Sequence, residues 1–215
     1  MKYLIISDIH GSAAACRKAL AQFATLACDR IILLGDVLYH GPRNPLPEEY
    51  APHAVAEMLN QHAGSIIACR GNCDSEVDQM VLSFPMMSDY VCIDVDGVRL
   101  FASHGHIYSP EKNADNSHED NSRAEISCTT TTAHVPVVEG SKLPPLSKND
   151  IALFGHIHEQ QLYKTKGGVL VCNPGSPSLP KNDSCAGFAV YENGCITLYD
   201  IDGSAQLSKR INESD

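Results

Sequence analysis

The amino-acid sequence predicts an α/β fold, and three observations carry that reading. Short β-branched apolar runs alternate with helix-patterned segments between residues 2 and 82. The runs there end in polar residues beside a glycine, where α/β sheets gather their ligands. Beyond residue 90 the chain turns strand-rich, with Gly- and Asn-containing turn signals between the runs.

Taken in order, residues 2–7 form a buried strand, an apolar run stopped by Asp8 and Gly11. Ser12 is placed to cap a helix to about Thr25, rich in the strong helix formers Ala, Leu and Arg. Residues 30–34 are a second strand, ending in Gly35-Asp36. A helix over 51–61 leads to a third strand over 65–69, which ends in Arg70-Gly71-Asn72. After a helix near 75–82, residues 90–95 and 98–103 flank Asp96-Gly97, a hairpin signal. Strands follow over 151–154, 161–164, 169–172, 187–191 and 195–199, with turns at Lys166-Gly167-Gly168 and Glu192-Asn193-Gly194. Residues 111–148 stand apart, because Ser, Thr, Asn, Asp, Glu and Pro dominate and periodicity is weak. A structureless loop that long is uncommon inside a compact domain. It is therefore expected to be an insertion within a single domain spanning 1–215, either a flap over the motif before it or a tolerated surface addition.

Composition bounds the function. With 215 residues, 43% hydrophobic and 20% charged, the chain can bury a core without staples and has the profile of a soluble globular protein. No stretch approaches the roughly 20 apolar residues of a membrane helix. The first apolar run is too short for a signal peptide, so a cytoplasmic location is expected. Nine cysteines, an odd number with no CxxC pair, suggest neither a disulfide framework nor a thiolate zinc site; mostly buried thiols in a reducing compartment are expected. The net charge of −10 argues against polymeric nucleic acid as a partner. It leaves room for a small anionic substrate wherever bound cations make the site locally positive.

Five segments stand at predicted strand ends: Asp8-Ile9-His10, Gly35-Asp36, Gly71-Asn72-Cys73-Asp74, His104-Gly105-His106 and Gly155-His156-Ile157-His158. Singly each is weak, since Asp-x-His can be a capping turn and His-x-His two surface histidines. Together they offer oxygen and nitrogen donors from every strand end, beside glycines that let the backbone approach a ligand. Five independent coincidences are hard to maintain.

The order D-x-H, G-D, G-N-x-D, H-G-H, G-H-x-H resembles the calcineurin-like metallophosphoesterase superfamily. Residues 35–44, residues 70–80 and Asn173-Pro174-Gly175-Ser176 resemble more closely still its small bacterial YfcE-type phosphodiesterases. The resemblance covers nearly the whole chain except 111–148. It implies a four-layer αββα sandwich with two divalent cations at the strand ends. One would be bound by Asp8, His10, Asp36 and His158, the other by Asp36, Asn72, His104 and His156, with Asp36 bridging. It also implies manganese as the cation, although such mixed donors equally suit Fe, Co, Ni or Zn. A hydroxide between the cations would attack a small phosphate ester, with Asp36, Asn72 and His104 as the catalytic core. A phosphodiester is the expected substrate. A phosphomonoester on the same site is the alternative, as is a retromer-subunit-like binding scaffold, which no missing ligand supports. A homo-oligomer is compatible with the resemblance.

Many superfamily members carry His where this chain has Cys73, and a thiol is a poorer acid near neutrality than imidazole. A packed thiol is the simpler reading of Cys73, and diesters with good leaving groups are the better substrates for such a site. Asp74 either orients Asn72 or His104 or caps the following helix. His106 contacts substrate, donates a proton or is structural. His40 and Arg43 either face the phosphate or close a loop. His53, His62, His118 and His134 are expected to be solvated or packed.

Overall fold

Strand β1 (Lys2–Ile6) lies inside a six-stranded sheet, and its alternating side chains serve two separate cores. Tyr3 and Ile5 point to one face, Leu4 and Ile6 to the other, and all four are buried. A strand covered on both faces reads as a continuous apolar run, which is why residues 2–7 carry no polar alternation. The residues described are 1–108, 146–165 and 167–212 of a computed structural model. After β1 come α1 (Ala13–Thr25), β2 (Arg30–Leu33), α2 (Pro52–Asn60), β3 (Ile66–Ala68), α3 (Glu76–Val81), β4 (Tyr90–Val95) and β5 (Val98–Ser103). Then follow β6 (Ile151–Leu153), β7 (Gln160–Lys164), β8 (Leu170–Pro174), β9 (Gly187–Glu192), β10 (Cys195–Asp200) and β11 (Ala205–Arg210).

Two sheets form, in the orders β11-β10-β9-β1-β2-β3 and β4-β5-β6-β8-β7. Their facing surfaces share one core, in which Ile5, Ile32 and Tyr191 of the first meet Leu100, Leu153 and Cys172 of the second. Helices α1 and α2 cover the outer face of the six-stranded sheet. Helix α1 turns Ala13, Cys16 and Ala19 inward at helical spacing, small side chains that let it lie close on Leu4 and Leu33. Its N-cap is Ser12, whose Oγ accepts from Ala15 N at 3.2 Å. Pro52 opens α2, where its missing N–H costs nothing.

The α/β class and the two packed sheets match the expectation. A second helical layer, over the outer face of the five-stranded sheet, is not represented among the described residues. Phe101, Ala152, Phe154 and Val171 cluster there with Leu146. Leu146 was expected inside the insertion, yet it is buried, and Ser147 N donates to Asp150 Oδ2 at 2.6 Å. Residues 146–148 therefore belong to the fold, while 111–145, with His118 and His134, lie outside the described residues, as does Lys166 in the expected turn. The expected burial of most thiols holds only in part: Cys16, Cys28, Cys69 and Cys172 are buried, but Cys92 and Cys185 are exposed. Strand β11 was not anticipated.

Candidate metal centre

Strand direction assembles the site. β1, β2 and β3 run parallel, as do β5, β6 and β8, so in each sheet their carboxyl ends finish at one edge. Asp8 and His10 follow β1, Asp36 follows β2, Asn72 follows β3, His104 follows β5, and His156 and His158 follow β6. Backbone bonds continue past the strands and lock these turns side by side. Asp8 N donates to Gly35 O at 3.1 Å, His10 N to Asp36 O at 2.9 Å, and Gly155 N to His104 O at 2.9 Å.

Five of the seven expected ligands sit in the left-handed region: Asp8 at φ 55°, His10 at 51°, Asp36 at 52°, His156 at 71° and His158 at 62°. Asp and His tolerate this conformation better than most residues, and such backbone concentrates at functional sites. Two glycines make the close approach possible. A Cβ on Gly155 would lie 1.8 Å from Ser7 Oγ and 2.8 Å from Asp8 Oδ2, and one on Gly71 would lie 2.0 Å from Asp36 Oδ1.

The donor atoms converge. Asp8 Oδ1 lies 3.2 Å from His158 Nε2, 3.6 Å from His10 Nε2 and 3.9 Å from His104 Nε2. Asp36 Oδ2 lies 3.4 Å from His104 Nε2 and 3.7 Å from His10 Nε2. Asn72 Oδ1 stands 3.1 Å from His104 Nε2. His156 lies with its ring centre 5.2 Å from that of His104, but its ring nitrogens are not in the tightest donor groups. Cys73 does join one such group, with His10 and Asp36.

These residues fit a cation. The Nδ1 atoms of His10, His104 and His158 lie 2.8, 2.8 and 2.7 Å from the carbonyls of Tyr39, Leu34 and Leu179. A carbonyl only accepts, so each Nδ1 carries the proton and each Nε2 offers its lone pair inward. Asp8 Oδ2 accepts from Ser7 Oγ at 2.6 Å and from His156 N at 2.9 Å, whereas Oδ1 is buried with no hydrogen-bond partner. An unpaired carboxylate oxygen among bare imidazole nitrogens is a cation ligand in waiting.

Electrostatics agree. Burial pushes the Asp8 carboxyl up, yet His104, His10 and His158 hold it well below the usual carboxylate range. Asp36 is lowered too, against its burial, chiefly by His104. Burial pulls His104 down, but Asp8 and Asp36 overcome that and raise it to about 9. A field that draws a proton there draws a divalent cation for the same reason. Burial and the charge on His104 lower both His156 and His106, the latter to about 4.

The supporting residues were only partly anticipated. Asp74 does not cap the following helix, and its hydrogen bonds go to backbone N–H groups beside the candidate ligands. Its carboxylate accepts from Gly71 N, Asp36 N and Val37 N at 2.7, 2.8 and 2.9 Å, pinning two ligand-bearing turns together. Ser75 is the cap of α3, in a capping box with Asp78. His40 closes a loop: its carbonyl accepts from Asn44 Nδ2 at 2.9 Å, and its ring lies edge-on to Tyr50. Arg43, by contrast, lines the cavity above the cluster, a space of about 350 Å³ that also borders Asp36, Asn72, Cys73 and His156. Burial and Asp36 push the Cys73 thiol up to about 12, as befits a neutral packed group. His106 lies edge-on to His104, with its ring centre 6.4 Å from that of His156, and is not a wall of that cavity.

Two of the supports, Ser178 and Leu179, carried no recognised signal. Ser176 Oγ and Ser178 Oγ donate to Asp8 O at 2.7 and 3.1 Å, and Leu179 O orients His158. Asn173 Nδ2 donates to Gly155 O at 2.7 Å, which gives the Asn173-Pro174-Gly175-Ser176 stretch a structural role. Lys181, also unanticipated, lines the same cavity as Arg43.

Comparison with known proteins accords with this geometry. Residues 1–193 match the family model described as the calcineurin-like phosphoesterase superfamily domain. The chain is 36% identical over 209 residues to phosphodiesterase YfcE of Escherichia coli K12, covering 97% of each. The solved structure of YfcE, described as a phosphoesterase from E. coli, superposes with a TM-score of 0.81 at 37% identity, over 99% of this chain and 100% of that one. Zinc-bound Vps29 from Entamoeba histolytica shares the fold at 17% identity, with a TM-score of 0.56 over 99% and 100% of the two chains.

Proposed function

The chain belongs to the calcineurin-like phosphoesterase superfamily, and from that premise we propose that it is a phosphodiesterase working with two divalent cations. The observation that carries this reading is Asp8 Oδ1, buried without a partner and faced by three imidazole nitrogens. One cation would be held by Asp8, His10, Asp36 and His158, the other by Asp36, Asn72, His104 and His156. When bound, the pair supplies an acidified water and offsets the charge that develops on the phosphoryl oxygens. Manganese is the cation we assign, on the family resemblance.

The chain's own residues divide the labour by depth. Asp8, His10, Asp36, His104 and His158 are buried and hold their geometry through backbone partners. Asn72 is exposed and Cys73 and His156 are half-buried, so an ester reaches the cluster from their side. Arg43 and Lys181 make the approach positive in a chain that is otherwise acidic. Cys73 holds its proton too tightly to serve as a ready acid, and His106 is neutral at pH 7. With no strong proton donor among the described residues at the cavity, esters with good leaving groups are favoured, and diesters over monoesters of poor alcohols. A scaffold holding no cation would leave the buried Asp8 oxygen uncompensated.

Among the described residues no helix is long and apolar enough to cross a membrane. The described cysteines are all free, including exposed Cys92 and Cys185.

The test is hydrolysis of bis(p-nitrophenyl) phosphate and p-nitrophenyl phosphate by metal-stripped protein with each divalent cation restored, beside Asp36→Asn and Asn72→Ala. Cation-dependent diester turnover lost in both variants is the expected result. Faster monoester than diester turnover would replace the reading with a monoesterase, and no turnover with any cation would end it.

A further inference from the structure

Two cations stand at the cavity mouth without an acidic partner among the described residues. Arg17, Lys18, Arg70 and Arg99 are each paired with a carboxylate. Arg43 and Lys181 have no ion pair among the described residues, although acidic groups outnumber basic ones 26 to 16 in this chain. Both are exposed, both line the cavity that opens on Asp36, Asn72 and His156, and they come from loops far apart in sequence.

Their backbones are held in place. Lys181 N donates to the carbonyl of His158 at 3.1 Å, so this residue hangs directly from a metal ligand. The turn after it is tight: Asn182 and Asp183 take φ 50° and 61°, Ser184 N returns to Lys181 O at 3.0 Å, and Asn182 Nδ2 donates to Glu159. Arg43 follows Gly41, where an added Cβ would lie 3.0 Å from Cys73 Sγ, and precedes Asn44, which is tied to His40 O. Long flexible side chains on two pinned turns make a clamp that adapts at its tips.

The charge is more than the scissile group needs. A phosphodiester carries a single negative charge, and two divalent cations facing Asp8 and Asp36 already leave the cluster net positive. Two further positive charges beside it suit a second anion on the same molecule. We infer that Lys181 and Arg43 form a binding site for a second phosphate carried on the organic arm of the substrate, so that the preferred substrates are phosphodiesters bearing an additional phosphomonoester. This assignment rests on the phosphodiesterase reading above.

A matched pair of chromogenic substrates tests it: thymidine 5′-(p-nitrophenyl phosphate) and its 3′-phosphorylated counterpart, with manganese-loaded full-length protein. The parent should favour the 3′-phosphorylated ester by roughly tenfold in kcat/KM, a size in keeping with charge-assisted contacts. Lys181→Gln and Arg43→Gln should each cut that ratio to about twofold, while Lys181→Arg keeps most of it. Calorimetric binding of thymidine 5′-phosphate and thymidine 3′,5′-bisphosphate to the same proteins should show the same ratios without turnover. Equal loss of both esters in the variants would place the two cations on the scissile phosphate and overturn the assignment, as would an unchanged ratio. If the parent hydrolyses neither ester, the phosphodiesterase reading falls. The calorimetric arm then stands alone: equal affinities for the two nucleotides overturn the clamp, and a preference that Lys181→Gln abolishes upholds it.

Discussion

The Nε2 atoms of His10 and His158 stand 3.1 Å apart, although 148 positions separate the residues in sequence. Both rings spend their other nitrogen on a backbone carbonyl, so two lone pairs face each other and require a cation between them. Burial lowers His10, but Asp8 outweighs it, so the same demand raises His10 above its ordinary value, and it raises His104 as well.

The first prediction concerns pH. His104 in the folded protein is raised to about 9 from an ordinary value of 6.5. Its contribution to stability is therefore fully present below pH 6.5 and lost as pH rises through 9, by up to ~3 kcal/mol. Asp74, raised to about 6 by burial, titrates below that window. Metal-free protein should melt at a lower temperature at pH 9 than at pH 6.5. Saturating manganese should flatten the dependence, because a metal-bound imidazole has no proton to lose there. A flat melting temperature in the metal-free protein would refute the account.

Gly155→Ala should strike fold and site together. The new methyl would press on Ser7 Oγ at 1.8 Å and on Asp8 Oδ2 at 2.8 Å, and neither belongs to the far end of a flexible side chain. Overpacking of this kind costs about 1–3 kcal/mol or more. Calorimetric melting with metal analysis should show a less stable protein that has lost bound cation.

Asp74→Ala should weaken metal binding without touching a ligand. Three backbone N–H groups lose their acceptor, two of them at the base of Asp36 and Val37. Removing such support typically lowers metal affinity about 10–100-fold. Titration with manganese should show this, with Asp74→Asn intermediate. Unchanged affinity would mean that the turns hold themselves.

Cys73→Ser should leave turnover of p-nitrophenyl diesters within about threefold of the parent, since a thiol pushed up to about 12 neither donates nor accepts a proton readily at pH 7. A hundredfold loss would instead make Cys73 a working ligand of the His10–Asp36 group.

Much of this was legible in the sequence. Residues 90–95 and 98–103 match β4 and β5 because Asp96-Gly97 takes the positive φ that a hairpin turn demands. Ligands at strand ends were legible because the parallel strands are apolar on both faces and stop abruptly. Strand β11 was not, since its residues are nearly all exposed and it is held by pairing with β10 rather than by an apolar face. Lys181 was hidden for another reason. Nothing local marks it; the turn it occupies reaches the cluster only because His158 receives it. The cap reading of Asp74 fails because Ser75 caps α3, and its hold on the Asp36 and Asn72 turns runs through backbone groups, which no side-chain pattern reveals.

The proposed metal ligands are shared between the layers: Asp8, His10, Asp36 and Asn72 come from the six-stranded sheet, His104, His156 and His158 from the five-stranded one. Bound cations would thus rivet the two sheets at one end of their common seam. Chelation should speed hydrogen exchange at amides around Gly35, Gly71 and Gly155 well before those of the β9–β10 ladder. The catalytic cofactor would then also be a mechanical fastener, and its loss a loosening that starts at the site itself.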